Sequence, residues 1–298
     1  MSVFTASARF TLCVLLSCLA SARATAADDG IAAWCRFDLP PLYIASGPDE
    51  GKGTVDQTAR FIMRYLPQYE HRPLVSNIRR FEAQMRTGDQ AVCAGMQKNA
   101  DRQSFMLFSD AFHAISPPQI VAPRRHLAAL STFRGVDGSI QLPNLLTDHT
   151  LRLGISAGRS YGRDIDDMLA QHKGQPNIVE RAVAQRMSEG LLQMMAFDRI
   201  HYTILFGSER EAFMDQPDVA QADLVSLPIG GQPRYITVHV TAPRTSWGER
   251  FIQRVNEVLR AHWSDKEFRT LASPGAPDKQ VQEWLRELDP NRRLSRKP

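Results

Sequence analysis

Long hydrophobic runs are scarce in this 298-residue chain. The clearest one, at positions 10–20, is about half of the roughly 20 residues a membrane-spanning helix needs, so no spanning helix is expected. Cysteine is scarce as well, with four in all and no CxxC pair. The eight histidines, at 71, 113, 126, 149, 172, 201, 239 and 262, show no pair at ligand spacing. The expectation is therefore no metal site and no cofactor. Low-complexity stretches and internal repeats are missing too, which argues against disorder or a fibre. At 43% hydrophobic and 23% charged residues, the composition is that of a globular protein of about two domains.

Charge of one sign is also lacking where it would matter. The net charge is +4, and residues 1–27 contribute Arg9 and Arg23 with no acid, so +2 remains without them. Residues 289–298 set Arg292, Arg293, Arg296 and Lys297 against Asp289, which leaves residues 28–288 at −1. The pI near 9.0 thus reflects the two ends of the chain and not a basic binding face, which argues against a nucleic-acid-binding protein.

The N-terminus does carry a pattern. Arg9, the apolar run and then Ala24, Thr25, Ala26 and Ala27 before Asp28 and Asp29 form a secretory signal with an A-x-A cleavage site. Export to the periplasm is expected; lipid attachment at Cys18 fits less well, because bulky Leu16 precedes it. Cleavage leaves Cys35 and Cys93 in a compartment where disulfides persist. Each closes an apolar run, as neighbouring strands with adjacent ends would, and a bridge is expected; two separate buried thiols are the alternative.

Periodicity predicts strands at 31–34, 73–76, 91–96 and 119–122 and helices at 54–66 and 78–87, with Val55, Ala59, Ile62 and Leu66 on one face and Thr54 as N-cap. A second series follows: strands at 151–155, 200–206, 224–227 and 235–241, and helices at 163–172, 247–263 and 279–288. Alternating strands and helices predict an α/β protein with mostly parallel sheets.

The segment 98–113, KNADRQSFMLFSDAFH, places Arg102 in a polar turn after an apolar strand and before an F-S-x-x-F run. It resembles the ligand-contacting segment of the bacterial extracellular solute-binding proteins of family 3. Two further patches are similar to that family: DLPPLYIASGPDEGKGTVD at 38–56 and LRLGISAGRSYGRDIDDML at 151–169. The resemblance spans roughly residues 31–288. It implies a two-lobed periplasmic-binding-protein fold of type II. A signal peptide would occupy 1–27, lobe one 28–122 and 241–298, and lobe two 123–240, with two hinge crossings joining the lobes.

In function, the resemblance implies a monomeric binding protein, not an enzyme, that delivers a small carboxylate-bearing solute, amino-acid-like or another organic anion, to an ABC-type membrane importer. Arg102 would grip the carboxylate with two parallel hydrogen bonds. Tyr43 would form a wall, and Gly158, Arg159, Ser160 and Tyr161 would close from the other lobe, where a helix start offers amide donors.

Two positions depart from the family pattern. His201 stands where an acid is common, and Phe206 where amino-acid binders carry the aspartate that holds the ligand's ammonium; Glu209 is the candidate substitute. Rival chemistry exists as well. Gly154-Ile155-Ser156-Ala157-Gly158 satisfies G-x-S-x-G, although no HGGG segment precedes it and no Asp-then-His pair follows in triad order. A dehydratase-like enzyme on the same two-lobed fold is a further alternative. The phosphate-loop lookalike GPDEGKGT at 47–54 has three residues between its glycines and Gly53 where magnesium needs a hydroxyl, so it is read as a loop.

Overall fold

The structure is a computed structural model that describes residues 30–182, 186–272 and 279–294. The expected signal segment lies outside these. The chain begins with β1 (Ile31–Arg36), α1 (Thr54–Arg64), β2 (Glu70–Val75), α2 (Ile78–Thr87), β3 (Ala91–Met96), α3 (Ala100–Phe105), β4 (Met106–Phe108) and β5 (His113–Ile115). It continues through β6 (Gln119–Pro123), the short helices α4 (Leu127–Ser131) and α5 (Leu142–Leu146), β7 (Leu153–Ser156), α6 (Arg163–Gln171) and β8 (Ile178–Arg181). Next come α7 (Met187–Ala196), β9 (Tyr202–Leu205), α8 (Gly207–Glu211), α9 (Pro217–Gln221) and β10 (Leu224–Pro228). The last described elements are β11 (Ile236–Pro243), α10 (Ser246–His262), α11 (Lys266–Leu271), α12 (Lys279–Leu288) and α13 (Pro290–Leu294).

The strands form two sheets, one per lobe. The first runs β2-β1-β3-β11-β4 with β5 also on β11; the second runs β10-β6-β9-β7-β8. Pairing is parallel where strand and helix alternate, at β1–β2, β1–β3, β7–β8 and β7–β9. It is antiparallel where the chain leaves or re-enters a lobe, at β6–β9, β10–β6 and all three β11 pairings. The sheets are therefore mixed and not mostly parallel, because a chain that crosses over and returns must enter with reversed direction. Gln119–Pro123 already belongs to the second sheet and all of Ile236–Pro243 to the first. The chain thus passes between sheets at residues 116–118 and 229–235, upstream of the boundaries expected from the sequence.

Local chemistry explains the elements. In β2, Pro73 is tolerated because the strand lies at a sheet edge, where a missing donor costs little. Helix α10 starts at Thr245, whose side chain accepts from the Gly248 amide at 3.1 Å. It buries Phe251, Val255 and Leu259 against the first sheet, and the Phe251 ring meets Trp34 and Trp247. Replacing such a ring with alanine costs about 3–5 kcal/mol. Helix α1 buries the expected Val55, Ala59 and Ile62, but its N-cap is Gly53, not Thr54. A Cβ at Gly53 would sit 2.3 Å from the Leu42 carbonyl oxygen, so the approach of the 39–43 loop sets the helix start.

The expected disulfide is present. The register Trp34↔Val92 between parallel β1 and β3 sets Cys35 beside Cys93, with Cα atoms 5.0 Å apart. Closing a loop of 58 residues stabilises the fold by about 4 kcal/mol in the chain-entropy account. No helix among the described residues is long and apolar enough to cross a membrane.

Candidate functional site

The two lobes meet over a cleft, and the residues that close it come from strand ends and the loops after them. Arg102 lies not in an open turn but on α3, where the Asn99 side chain caps the helix by accepting from the Arg102 amide at 2.8 Å. Its guanidinium is 4% exposed and is held from three sides. Nε donates to Glu82 Oε1 at 2.9 Å, Nη1 to the Gln97 carbonyl at 3.3 Å, and Nη2 across the cleft to the Gly158 carbonyl at 3.2 Å. Of five N–H donors, three are used in this way, and the other two have no partner among the described residues.

Gly158 can accept that contact because of its backbone. Its φ is +73°, and a Cβ there would come 2.8 Å from Arg79 of the first lobe, so glycine lets the lobes approach. Three further hydrogen bonds and an ion pair join the lobes. Asn99 Nδ2 donates to Asp166 Oδ2 at 3.3 Å, and the Arg186 and Met187 amides donate to the Asp38 carboxylate and carbonyl at 3.1 and 3.4 Å. Arg79 pairs with Glu180.

Arg159, next to Gly158, reaches the cleft from the second lobe. Its Nη2 donates to Glu209 Oε1 at 2.5 Å, and its guanidinium carbon lies 5.4 Å from the Tyr161 ring and 5.5 Å from the Phe206 ring. Burial opposes its charge, but the Glu209 carboxylate more than offsets this and holds its pKa above the ordinary arginine value. Glu209, fully buried, also accepts from the Phe206 amide at 3.0 Å. Its carboxylate thus serves Arg159 and the start of α8, and Glu209 does not line the cavity.

The rest of the 158–161 loop is arranged around Asp166. The Ser160 hydroxyl and the Tyr161 amide both donate to that carboxylate, at 2.5 and 2.8 Å, which ties the loop to the first turns of α6. Burial raises the Asp166 pKa, against the lowering pull of those donors, Asn99 and Arg102. The Tyr161 hydroxyl accepts from the Ser156 amide at 3.1 Å, and although this bond and Arg159 lower its pKa, burial outweighs them and pushes it up to about 12, so the phenol is neutral. Of the loop's side chains, Arg159 and Ser160 reach the enclosed cavity.

Tyr43 forms one wall. Its hydroxyl sits 3.4 Å from Cys93 Sγ and 3.6 Å from Cys35 Sγ, and its ring meets Phe37 edge-on at 5.3 Å. Burial, with help from Asp56, keeps it neutral. Gly95, at φ +88°, makes room for that hydroxyl, which a Cβ would approach to 2.7 Å.

Together these residues enclose a cavity of about 80 Å³, lined by Tyr43, Gln97, Arg102, His113, Arg159 and Phe206 among other, mostly apolar, side chains. On the outer side of the two arginines lies a more polar groove of about 490 Å³. Three buried polar atoms of the cavity-lining residues have no hydrogen-bond partner among the described residues: Gln97 Oε1, His113 Nδ1 and Arg159 Nε. Burial lowers the His113 pKa to about 4, so its ring is neutral. The sequence alone did not single out Gln97, His113 or Glu82. Gln97 and His113 bracket the segment read for Arg102, and that position was their only signal.

Two other expectations meet the geometry. Ser156 of the G-x-S-x-G run ends β7 with its Oγ buried and, among the described residues, without a hydrogen-bond partner, so no base is positioned to activate it. Separately, His126 comes together with Asp198 and His201, 72 and 75 positions further along the sequence, with His126 Nε2 3.0 Å from Asp198 Oδ1. Arg125 already pairs with Asp198 at 3.1 Å, and His201 Nδ1 accepts from the Arg152 amide at 2.7 Å. The chemistry of this donor set is that of an ion-pair knot between β6, β7 and β9.

Comparison with known proteins gives the fold. Neither a family model nor a curated protein matches the chain. Among solved structures, the substrate-binding protein of an amino acid ABC transporter is similar at 14% identity and TM-score 0.59, over 81% of this chain and 96% of that one. The fold is that of the two-lobed periplasmic binding proteins. An ABC uptake transporter substrate-binding protein from Streptococcus pneumoniae with bound histidine is similar at 15% identity and TM-score 0.60, over 83% of this chain and 92% of that one. A histidine kinase sensor domain with similarity to periplasmic binding proteins is similar at 13% and 0.62, over 81% and 93%.

Proposed function

We propose that this protein is a periplasmic solute-binding protein that captures a small carboxylate-bearing solute between its lobes and presents it to an ABC-type importer. The observation that carries the reading is Arg102. It is a buried guanidinium at the cleft with two free donors and a hydrogen bond to each lobe. A carboxylate that enters takes those two donors in parallel, and the lobes close on it by hinging about the residue 116–118 and 229–235 crossings. Tyr43 walls the cavity, and Arg159 and Ser160 complete it from the second lobe. Gly158 supplies the carbonyl that latches to Arg102, while Tyr161 and Glu209 position Arg159 and its loop.

The test is a thermal-shift screen of purified protein against small carboxylates and their neutral amides. A carboxylate at about a hundred times its dissociation constant stabilises by about 2.7 kcal/mol. Stabilisation by a carboxylate, and not by its amide, supports the reading; equal response to both refutes it.

A further inference from the structure

The cavity that takes the solute contains two cations and no acid. Among the described residues, no Asp or Glu lines it, while Arg102 and Arg159 both do. Each arginine has its own carboxylate outside the lining, Glu82 at 2.9 Å and Glu209 at 2.5 Å. Phe206 fills the remaining flank with an apolar ring. An ammonium group brought here would lose its hydration and find no carboxylate in the lining to pair with.

The unpartnered atoms have a different demand. Gln97 is 9% exposed, and its Oε1 accepts from nothing among the described residues; neutral His113 presents an unpartnered Nδ1. Both suit a neutral donor, and Arg159 Nε offers a proton to an acceptor. A hydroxyl is both donor and acceptor and carries no charge.

Resting on the carboxylate reading above, we infer that the solute is a hydroxy acid without an ammonium group: a carboxylate for Arg102, a hydroxyl for the unpartnered polar atoms of the lining residues Gln97, His113 and Arg159, and an apolar body against Phe206. Gln97 and His113 could accept from an ammonium too, but no carboxylate lines the cavity to pair with it, and this decides between the two.

The experiment is calorimetric titration of the full protein with matched pairs that share a side chain, from lactate and alanine up to phenyllactate and phenylalanine, together with the corresponding deoxy acids. The expected result is that at least one hydroxy acid binds about tenfold or more tighter than both its amino and its deoxy counterparts. An amino acid that binds as tightly as its hydroxy partner overturns the inference and leaves the carboxylate reading standing. A deoxy acid as tight as its hydroxy partner overturns the hydroxyl assignment in the same way. If no carboxylate of the panel binds, the inference fails, and if neutral amides bind in their place the carboxylate reading fails with it. A Phe206→Asp variant provides the reciprocal check: amino-acid affinity should rise relative to hydroxy-acid affinity, and an unchanged ratio counts against the role of charge.

Discussion

Arg102 and Gly158 join the two lobes through one hydrogen bond, Nη2 to carbonyl oxygen at 3.2 Å, made by the same guanidinium that faces the cavity. In the proposed function, binding and closure would therefore share one side chain. A ligand carboxylate would hydrogen-bond the same guanidinium that latches to the second lobe, so occupancy and lobe position would be coupled through it.

Arg102→Ala should then lose both. Removing one partner of a buried charged contact costs about 2–5 kcal/mol, which is at least about 30-fold in Kd. Small-angle scattering should also show a larger radius of gyration for the variant. Arg102→Lys should rescue little, since an ammonium cannot make the paired contact.

The Arg159–Glu209 pair gives a different signature. Both side chains are buried, 5% and 0% exposed, so Glu209→Gln leaves a guanidinium uncompensated and should destabilise by about 3–5 kcal/mol in denaturant unfolding. Its effect on stability should exceed its effect on ligand affinity. The reverse order would make Glu209 a direct ligand group.

His113 predicts a pH dependence. Its pKa falls from 6.5 to about 4 on folding, so the unfolded chain binds the extra proton first. The contribution is complete above about pH 6.5 and is lost as pH falls toward 4, by up to about 3 kcal/mol. His71, lowered by burial, acts in the same direction. In unfolding titrations between pH 7 and 4, His113→Gln should flatten the slope by up to one proton; an unchanged slope rules this assignment out.

The Cys35–Cys93 bridge should contribute about 4 kcal/mol, less any strain. A Cys35→Ser, Cys93→Ser double variant should unfold at lower denaturant concentration. Thiol counting on the denatured wild-type protein should find neither of these cysteines reactive.

Much of this was legible from local pattern. Helix Ile78–Thr87 and strand Ala91–Met96 have the bounds that periodicity predicts, and the cysteine pair followed from two apolar runs that end side by side. The site was legible only as far as one residue of each contact. Arg102 could be found from its segment, but its partners Glu82 and Gly158 lie 20 and 56 positions away. The amide and hydroxyl donors expected of the 158–161 loop turn to Asp166, a partner that only the folded helix brings within reach. Gly53 in place of Thr54 as the cap of α1 has the same origin, since a packed loop overrides a good capping residue.

Native mass spectrometry tests the central claim most directly, with wild-type and Arg102→Ala protein each offered one mixture of small carboxylates, sugars and bases. The account predicts an intact carboxylate adduct on the wild-type protein and its loss from the variant. An adduct of equal abundance on both proteins, or release of a chemically altered product, would contradict it.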